Sequence, residues 1–203
     1  GDKSLSSRPM SRVIEPLTEM GANIEASNGM LPISLSPASF QKQYTYELPV
    51  ASAQVKSSIL LAGLAARIGI EIIEPVQTRD HTERMLKHFG ANVEITSKAS
   101  KNVIQLSPSN HLQAKDYTVV GDISSAAFLI VGALISNSPG LEITNVGMNP
   151  SRTGVLEALQ KMGANIEVKN KRLESGEPCA DLEVKESVLR GVELSGDIIP
   201  NII

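Results

Sequence analysis

The sequence predicts an α/β fold built from a repeated segment of about 72 residues. Three stretches place apolar residues at helical spacing, reach a glycine, and continue into an alternating run of isoleucine or valine; the glycines are Gly21, Gly90 and Gly163. This pattern is typical of a helix that ends at a glycine C-cap and leads directly into a strand. Two other stretches, 50–68 and 121–135, are apolar on almost every side, which predicts buried helices.

Each apolar stretch is followed by a short run rich in β-branched residues. The order within one repeat is therefore strand, buried helix, strand, surface helix, strand and strand, or βαβαββ. On this pattern the chain holds the end of one repeat (1–46), one whole repeat (47–119) and most of another (120–203). We therefore expect the repeats to be incomplete at both ends of the chain.

The composition excludes several classes of function. A chain of 203 residues with 41% hydrophobic residues can bury a core, but its net charge of -3 and 3% aromatic content disfavour nucleic-acid binding. The single cysteine, Cys179, excludes an intrachain disulfide and a multi-cysteine metal site, and it suits a reducing compartment. The apolar runs are far shorter than the roughly 20 residues that span a bilayer. We expect no nucleic-acid or membrane partner and no metal.

The first candidate for anion binding is Arg8, which directly precedes Pro9 in a polar loop that leads into a helix. Proline favours the first position of a helix, so the guanidinium is expected beside a helix N-terminus, and both attract anions. A solvated loop arginine explains the same pattern equally well.

The second candidate is the start of the first buried helix, at Ser52, Ala53 and Gln54. The N–H groups of the first turn and the Ser52 hydroxyl predict an anion site, and Gln54 adds a side-chain amide. A simple N-cap role for Ser52 is the alternative. Because the rest of this helix is apolar, its polar end is expected to face a cleft or solvent.

The third candidate is Arg79, in the loop between a strand and a surface helix. Asp80 and Glu83 have the spacing of a capping box, with aspartate in place of serine or threonine. Arg79 is left without a local structural role, and we expect its guanidinium to complete a phosphate cradle at the Ser52 end of the buried helix. His81 is expected mainly to start its helix.

The next repeat carries counterparts of both features. Asp122 and Ser124 open the second buried helix, and Arg152 lies 11 residues before its glycine, as Arg79 does. We expect a structural echo here in preference to a second anion site.

Five stretches, in order along the whole chain, resemble the 5-enolpyruvylshikimate-3-phosphate synthase family of 3-phosphoshikimate 1-carboxyvinyltransferases: 1–10, 49–57, 78–83, 121–126 and 149–154. The resemblance implies two domains, each made of three βαβαββ repeats in an inside-out α/β barrel of the enolpyruvyl transferase type. It places residues 1–119 in the N-terminal domain and residues 120–203 in the first part of the C-terminal domain.

The resemblance also implies an activity. The family transfers the enolpyruvyl group of phosphoenolpyruvate to the 5-hydroxyl of shikimate 3-phosphate, on the route to chorismate and aromatic amino acids. The residues that would hold shikimate 3-phosphate are Ser52, Ala53 through its backbone, Gln54 and Arg79. Those that would contact phosphoenolpyruvate are Arg8 and Gln54. No cofactor is implied, and the complete protein is expected to be a cytoplasmic monomer.

One departure from the family pattern limits what this chain is expected to do. The family's catalytic carboxylate would follow Ile203, and its catalytic lysine lies further on, so we expect no catalytic residue within the 203 residues. The reaction needs a general acid and a base. The chain alone is therefore expected to be inactive.

Two alternatives remain. The first is the sister enolpyruvyl transferase that acts on UDP-N-acetylglucosamine, although Cys179 lies in the wrong repeat for its reactive loop cysteine. The second is a substrate-binding module without turnover.

Overall fold

The computed structural model describes residues 2–98, 101–108, 112–137 and 139–202. It divides into two compact units, which we call unit 1 (residues 1–113) and unit 2 (residues 114–203). Each unit encloses its own cluster of buried apolar side chains.

Unit 1 contains the end of one repeat followed by a complete one. Its elements are α1 (Lys3–Ser6), α2 (Ser11–Glu19), β1 (Asn23–Ser27), β2 (Met30–Ser36), β3 (Gln43–Glu47), α3 (Ala53–Ala66), β4 (Gly69–Glu74), α4 (His81–His88), β5 (Val93–Lys98) and β6 (Lys101–Leu106). Strands β1 and β2 form an antiparallel pair, and the remaining strands form a sheet in the order β3-β4-β6-β5. Within that sheet β3 and β4 are parallel and the other neighbours are antiparallel. The order β3-α3-β4-α4-β5-β6 confirms the predicted repeat.

Unit 2 repeats this order with a shortened start. Its elements are α5 (Ile123–Ile135), β7 (Leu141–Gly147), α6 (Gly154–Lys161), β8 (Asn165–Glu174), β9 (Glu177–Lys185), a 3-10 turn (Gly196–Ile198) and α7 (Ile199–Ile202). The sheet order is β7-β9-β8, with antiparallel neighbours. In the described part of the chain, the strand expected before α5 is reduced to one parallel bridge between Gly121 and Val146. This bridge occupies the place that β3 takes beside β4.

Helices α2, α4 and α6 all end in the predicted way. The glycines that follow them have positive φ angles of 114° at Gly21, 88° at Gly90 and 94° at Gly163. In each case the glycine N–H and the next alanine N–H donate to carbonyls of the last turn at 2.9 to 3.0 Å. This is a Schellman motif, and it requires a left-handed residue that glycine adopts without steric cost.

The two helices expected to be buried differ in what covers them. Helix α3 buries Ile59 and Leu60 in unit 1, against α2, β4 and β6. Helix α5 buries Ile130 against β7 and β9 but leaves Phe128 83% exposed and Ile135 70% exposed. The prediction of a helix buried on all sides is therefore wrong for α5 in this chain, because β7 and β9 cover only one of its faces.

Candidate anion-binding site

Helix α3 begins at a serine cap, as its sequence predicts. Ser52 is extended (φ -147°, ψ 106°), and its hydroxyl accepts a hydrogen bond from the Val55 N–H at 3.4 Å. Ser52 is therefore an N-cap, which was the structural alternative. The N–H groups of Ala53 and Gln54 lie in the first turn, where a helix presents donors and a partial positive charge to an anion. The Gln54 side chain is exposed and Ala53 is half-buried.

A cavity of about 340 Å³ opens at this end of α3. The lining residues are Arg12, Glu15, Tyr46, Leu48, Pro49, Val50, Ala51, Ser52 and Val55. The volume lies at the lower end of the range for small-molecule sites. Ser52 and Arg12 both line this cavity, whereas Gln54, Arg8 and Arg79 are not among its described lining residues.

Arg12 is a cation beside the candidate site that the sequence patterns did not indicate. It lies in the first turn of α2 and reaches the cavity because α2 packs against α3. That contact is tertiary, so no local pattern announces it. The one feature in the sequence that could have indicated Arg12 is its position in the first turn of a predicted helix.

Arg8 lies between α1 and α2 and is exposed. The stretch predicted as a polar loop contains α1, which Asp2 caps by accepting a hydrogen bond from the Leu5 N–H at 2.8 Å. Helix α2 begins at Ser11 after a Met10 cap, so Pro9 precedes the helix and the predicted first-position role is wrong. Arg8 therefore lies in the segment that precedes α2.

Arg79 is exposed in the loop that leads from β4 into α4. This loop is anchored by Glu74 at the end of β4, whose Oε1 accepts hydrogen bonds from the Thr78 N–H at 2.9 Å and the Thr78 hydroxyl at 2.5 Å. His81 is the first residue of α4 and is half-buried, consistent with the helix-start position expected from the sequence.

The capping box predicted for α4 does not form. No side chain caps this helix, and the Asp80 carboxylate instead pairs with Arg84 at 2.9 Å. Glu83, the other half of the predicted box, is 1% exposed, and its carboxylate is directed toward α3. The reason is a buried cation on α3 that competes for it.

That cation is Lys56, which lies inside an otherwise apolar helix and which the helical pattern did not single out. Its Nζ lies 3.1 Å from Oε1 of Glu74 and 2.7 Å from Oε1 of Glu83. The Ser57 and Thr82 hydroxyls, 2.7 Å apart, form a second link between α3 and α4. These contacts hold the loop that carries Arg79 next to the first turns of α3. A lysine within an otherwise apolar helix was the usable signal, since a buried cation needs a partner.

The counterpart in unit 2 shows an arginine that reaches a helix start. Asp122 caps α5 by accepting from the Ser124 N–H at 3.1 Å. Nη2 of Arg152 donates to the Asp122 carboxylate at 2.8 Å and to the Ser124 hydroxyl at 2.6 Å. The acidic cap therefore neutralises the arginine within the protein, in agreement with the expected structural echo.

The comparison with known proteins decides the family. A family model described as EPSP synthase (3-phosphoshikimate 1-carboxyvinyltransferase) matches residues 1–198. The chain belongs to the EPSP synthase family. Two 3-phosphoshikimate 1-carboxyvinyltransferases are similar to it over its whole length, one from Gloeothece citriformis at 50% identity and one from Endomicrobium trichonymphae at 46%. The chain spans 45% and 46% of these two relatives, respectively, which is under half of each.

Solved structures confirm the fold type. An EPSP synthase from Acinetobacter baumannii aligns with a TM-score of 0.84 and 45% identity over 99% of this chain and 45% of that one. The enolpyruvyl transferase NikO from Streptomyces tendae aligns at 16% identity with a TM-score of 0.68, over 98% of this chain and 47% of that one. At that identity the second likeness concerns the fold alone. The predicted enolpyruvyl transferase fold, present in part, is thus confirmed.

None of the helices in the described ranges is long and apolar enough to cross a membrane. Within the same ranges, no group of three histidine, cysteine, aspartate or glutamate side chains could hold a metal ion.

Proposed function

We propose that this chain is the substrate-binding part of a 3-phosphoshikimate 1-carboxyvinyltransferase. The full-length protein would add the 5-hydroxyl of shikimate 3-phosphate to phosphoenolpyruvate, protonate its methylene carbon, and then release phosphate and a proton. Residues 1–119 would belong to the N-terminal domain and residues 120–203 to the first part of the C-terminal domain. The family match over residues 1–198 is the observation that carries this proposal.

The chemistry of the α3 start supports the binding role. Shikimate 3-phosphate presents a phosphate dianion, which suits first-turn N–H groups, a serine hydroxyl and a guanidinium. Ser52, Ala53 and Gln54 would supply the helix donors, and Arg79 would close on the phosphate from the adjacent loop. The anchoring of that loop at Glu74 and its links to α3 favour this arrangement.

Phosphoenolpyruvate needs cations of its own, since it carries a carboxylate and a phosphate. Arg8 and Gln54 would contact it. Arg12 joins them in the proposal because it lines the cavity beside Ser52. With a net charge of -3 for the chain, attraction of both anions must come from such local clusters and not from the overall field.

The sister reaction on UDP-N-acetylglucosamine gains no support from the thiol. Cys179 is buried in β9, and burial raises the pKa of its thiol. A thiol held in its neutral form is a poor nucleophile. This cysteine does not behave as the reactive loop residue that the alternative would need.

The decisive experiment is a phosphate-release assay on the full-length protein that contains this chain. We expect release that requires both phosphoenolpyruvate and shikimate 3-phosphate. The 203-residue chain alone should release phosphate only at background and should bind shikimate 3-phosphate at about millimolar strength, or about -4 kcal/mol. Release by the full-length protein without shikimate 3-phosphate, or none with both substrates, would refute the assignment.

A further inference from the structure

Three charged side chains meet in the interior of unit 1, away from the cavity lining. Lys56 on α3 is 1% exposed, Glu74 at the end of β4 is 2% exposed, and Glu83 on α4 is 1% exposed. The ammonium contacts one oxygen of each carboxylate, at 3.1 Å and 2.7 Å. We call these three residues the buried triad. With all three ionised, the triad carries one excess negative charge.

A buried cluster of charges is a weak source of stability. Replacing a buried ion pair with well-packed apolar residues is often neutral or stabilising, because desolvation offsets the Coulomb attraction. Oε1 of Glu83 lies 2.7 Å from Nζ of Lys56, but neither carboxylate oxygen of Glu83 has a hydrogen bond of good geometry among the described residues. Burial raises the pKa of Glu83 against the lowering effect of Lys56, so its charged form is not favoured by the site as a whole.

Unit 2 provides an internal comparison at positions counted from the helix caps and the capping glycines. Lys56 is the fourth residue after the α3 cap, and Ala126 is the fourth after the α5 cap. Glu83 lies seven residues before its capping glycine, and Leu156 lies seven before its own. Ala126 and Leu156 are buried in one apolar cluster. The same framework therefore packs with apolar side chains where unit 1 keeps charges.

Glu74, the remaining member of the triad, also has an uncharged counterpart in unit 2. Glu74 lies five residues before Arg79, and the residue five before Arg152 is Gly147. Glu74 also holds the Thr78 N–H and hydroxyl, directly before Arg79 in the chain. The repeat in unit 2 has no side chain there to anchor its loop.

The triad connects the elements that carry the candidate binding groups. Lys56 is one turn after Ser52 on α3, Glu74 anchors the loop that ends at Arg79, and Glu83 is in the first turn of α4. The carboxylates of Glu74 and Glu83 both contact the Lys56 ammonium group. The triad therefore links α3 to the residues on either side of the Arg79 loop.

We propose that Lys56, Glu74 and Glu83 are positioning residues that fix the Arg79 loop against the start of α3, and so determine the affinity for shikimate 3-phosphate. This inference rests on the proposed function. The triad does not touch substrate; it acts through Arg79 and the first turn of α3. A displacement of about 1 Å caused by a change far from the reacting atoms can cost about a hundredfold in activity.

The test uses two variants of the full-length protein. Glu83→Gln keeps the size of the side chain and removes its charge. Lys56→Met/Glu74→Gln/Glu83→Leu replaces all three charged side chains with uncharged ones. We expect the KM for shikimate 3-phosphate to rise about threefold or more in the first and about tenfold or more in the second. The kcat at saturation and the melting temperature should change little.

The matched controls remove an exposed lysine–glutamate pair of similar geometry. Lys161 and Glu157 on α6 lie 2.8 Å apart and are each about half exposed. Glu157→Gln and Lys161→Met/Glu157→Leu should leave the KM for both substrates unchanged. An equal rise in KM in the controls would show a general charge effect and overturn the proposal.

The outcomes separate this inference from the function on which it rests. If the wild-type protein fails to turn over both substrates, the proposed function fails and the positioning role falls with it. If Arg79→Ala raises the KM but both triad variants bind like wild type, only the positioning role is refuted. If the triple variant does not fold, Glu83→Gln decides alone, and an unchanged KM in that folded variant also refutes the role.

Discussion

The starts of α3 and α5 occupy equivalent places in their repeats but differ in charge. Helix α3 is capped by the neutral Ser52, and helix α5 is capped by Asp122, which also binds Arg152 at 2.8 Å. The acidic cap accepts from the Ser124 N–H and from the Arg152 guanidinium, so its charge is balanced within the protein. A serine cap satisfies one N–H group and contributes no negative charge. One framework therefore carries a neutral cap in one repeat and, in the other, an acidic cap that is paired with an arginine.

The residues buried behind these two helix starts also differ in charge, but here unit 1 has the charged residues and unit 2 the apolar ones. The repeat with the neutral cap contains the buried triad, whereas the repeat with the acidic cap has Ala126 and Leu156 in the corresponding places. Unit 1 therefore has an uncharged residue at its helix cap and charged residues in its interior. This is the pattern expected if unit 1 must bind an anion with fixed geometry.

The largest effect is expected from removing the cation of the triad alone. Lys56→Met leaves the two carboxylates of Glu74 and Glu83 buried together, and breaking a buried pair in this way costs roughly 3–5 kcal/mol. Urea unfolding of the 203-residue chain, followed by circular dichroism, would measure it. Removing Glu83 together with Lys56 should recover part of the loss; a double variant as unstable as the single one would contradict this account.

The next effect comes from giving α3 the cap of α5. Ser52→Asp places a carboxylate where we expect the phosphate, so affinity for shikimate 3-phosphate should fall by roughly a hundredfold, while the fold is preserved because aspartate caps helices as well as serine. Calorimetry on the full-length protein would measure the dissociation constant. Asp122→Ser is the reciprocal control and should not change that constant. Equal affinities in Ser52→Asp and wild type would remove the α3 start from the site.

Replacing Arg79 and replacing Arg152 should affect different properties, namely ligand affinity and stability. Arg79→Ala removes a charged hydrogen-bond donor, which is worth roughly 1.5–3 kcal/mol, or about a ten- to hundredfold loss of affinity for shikimate 3-phosphate. Arg152→Ala should instead lower the free energy of unfolding by about 1 kcal/mol or less, since its partner Asp122 is about half exposed. Titration calorimetry and urea unfolding on both variants would check this. Similar affinity losses in both would mean that the repeats are not functionally distinct.

The smallest effect is a pH dependence that only unit 1 should show. Burial raises the pKa of Glu83 above its ordinary value, against Lys56, while the nearby Asp80 raises it further. The folded state therefore binds this proton more tightly than the unfolded state, so stability falls as pH rises from the ordinary glutamate range through the raised pKa. Glu83→Gln should flatten this part of the stability profile and unfold at a temperature equal to or above wild type near neutral pH. A profile identical to that of wild type would contradict the shift.

The sequence was sufficient for features that depend on neighbours along the chain. The Schellman glycines after α2, α4 and α6, the Ser52 cap and the order of the complete repeat were all predictable, because caps and periodicity are local. The Arg79 loop was placed correctly between its strand and its helix for the same reason.

Features that depend on tertiary contacts were not predictable in the same way. Arg12 reaches the cavity only because α2 packs on α3, and Glu83 leaves its predicted capping position because Lys56 attracts it from another helix. The exposed face of α5 escaped prediction because an apolar pattern states that a surface should be covered without stating what covers it.

The burial of Lys56 makes its rate of chemical labelling a measure of how often unit 1 opens. Amine-acylating reagents require an accessible, neutral amine, and this ammonium is 1% exposed and paired with two carboxylates. Lys101, which is 47% exposed, would react quickly in the same sample and serve as an internal standard. Slow labelling of Lys56 would then occur only when α3 separates from α4, so that its rate reports how often unit 1 opens.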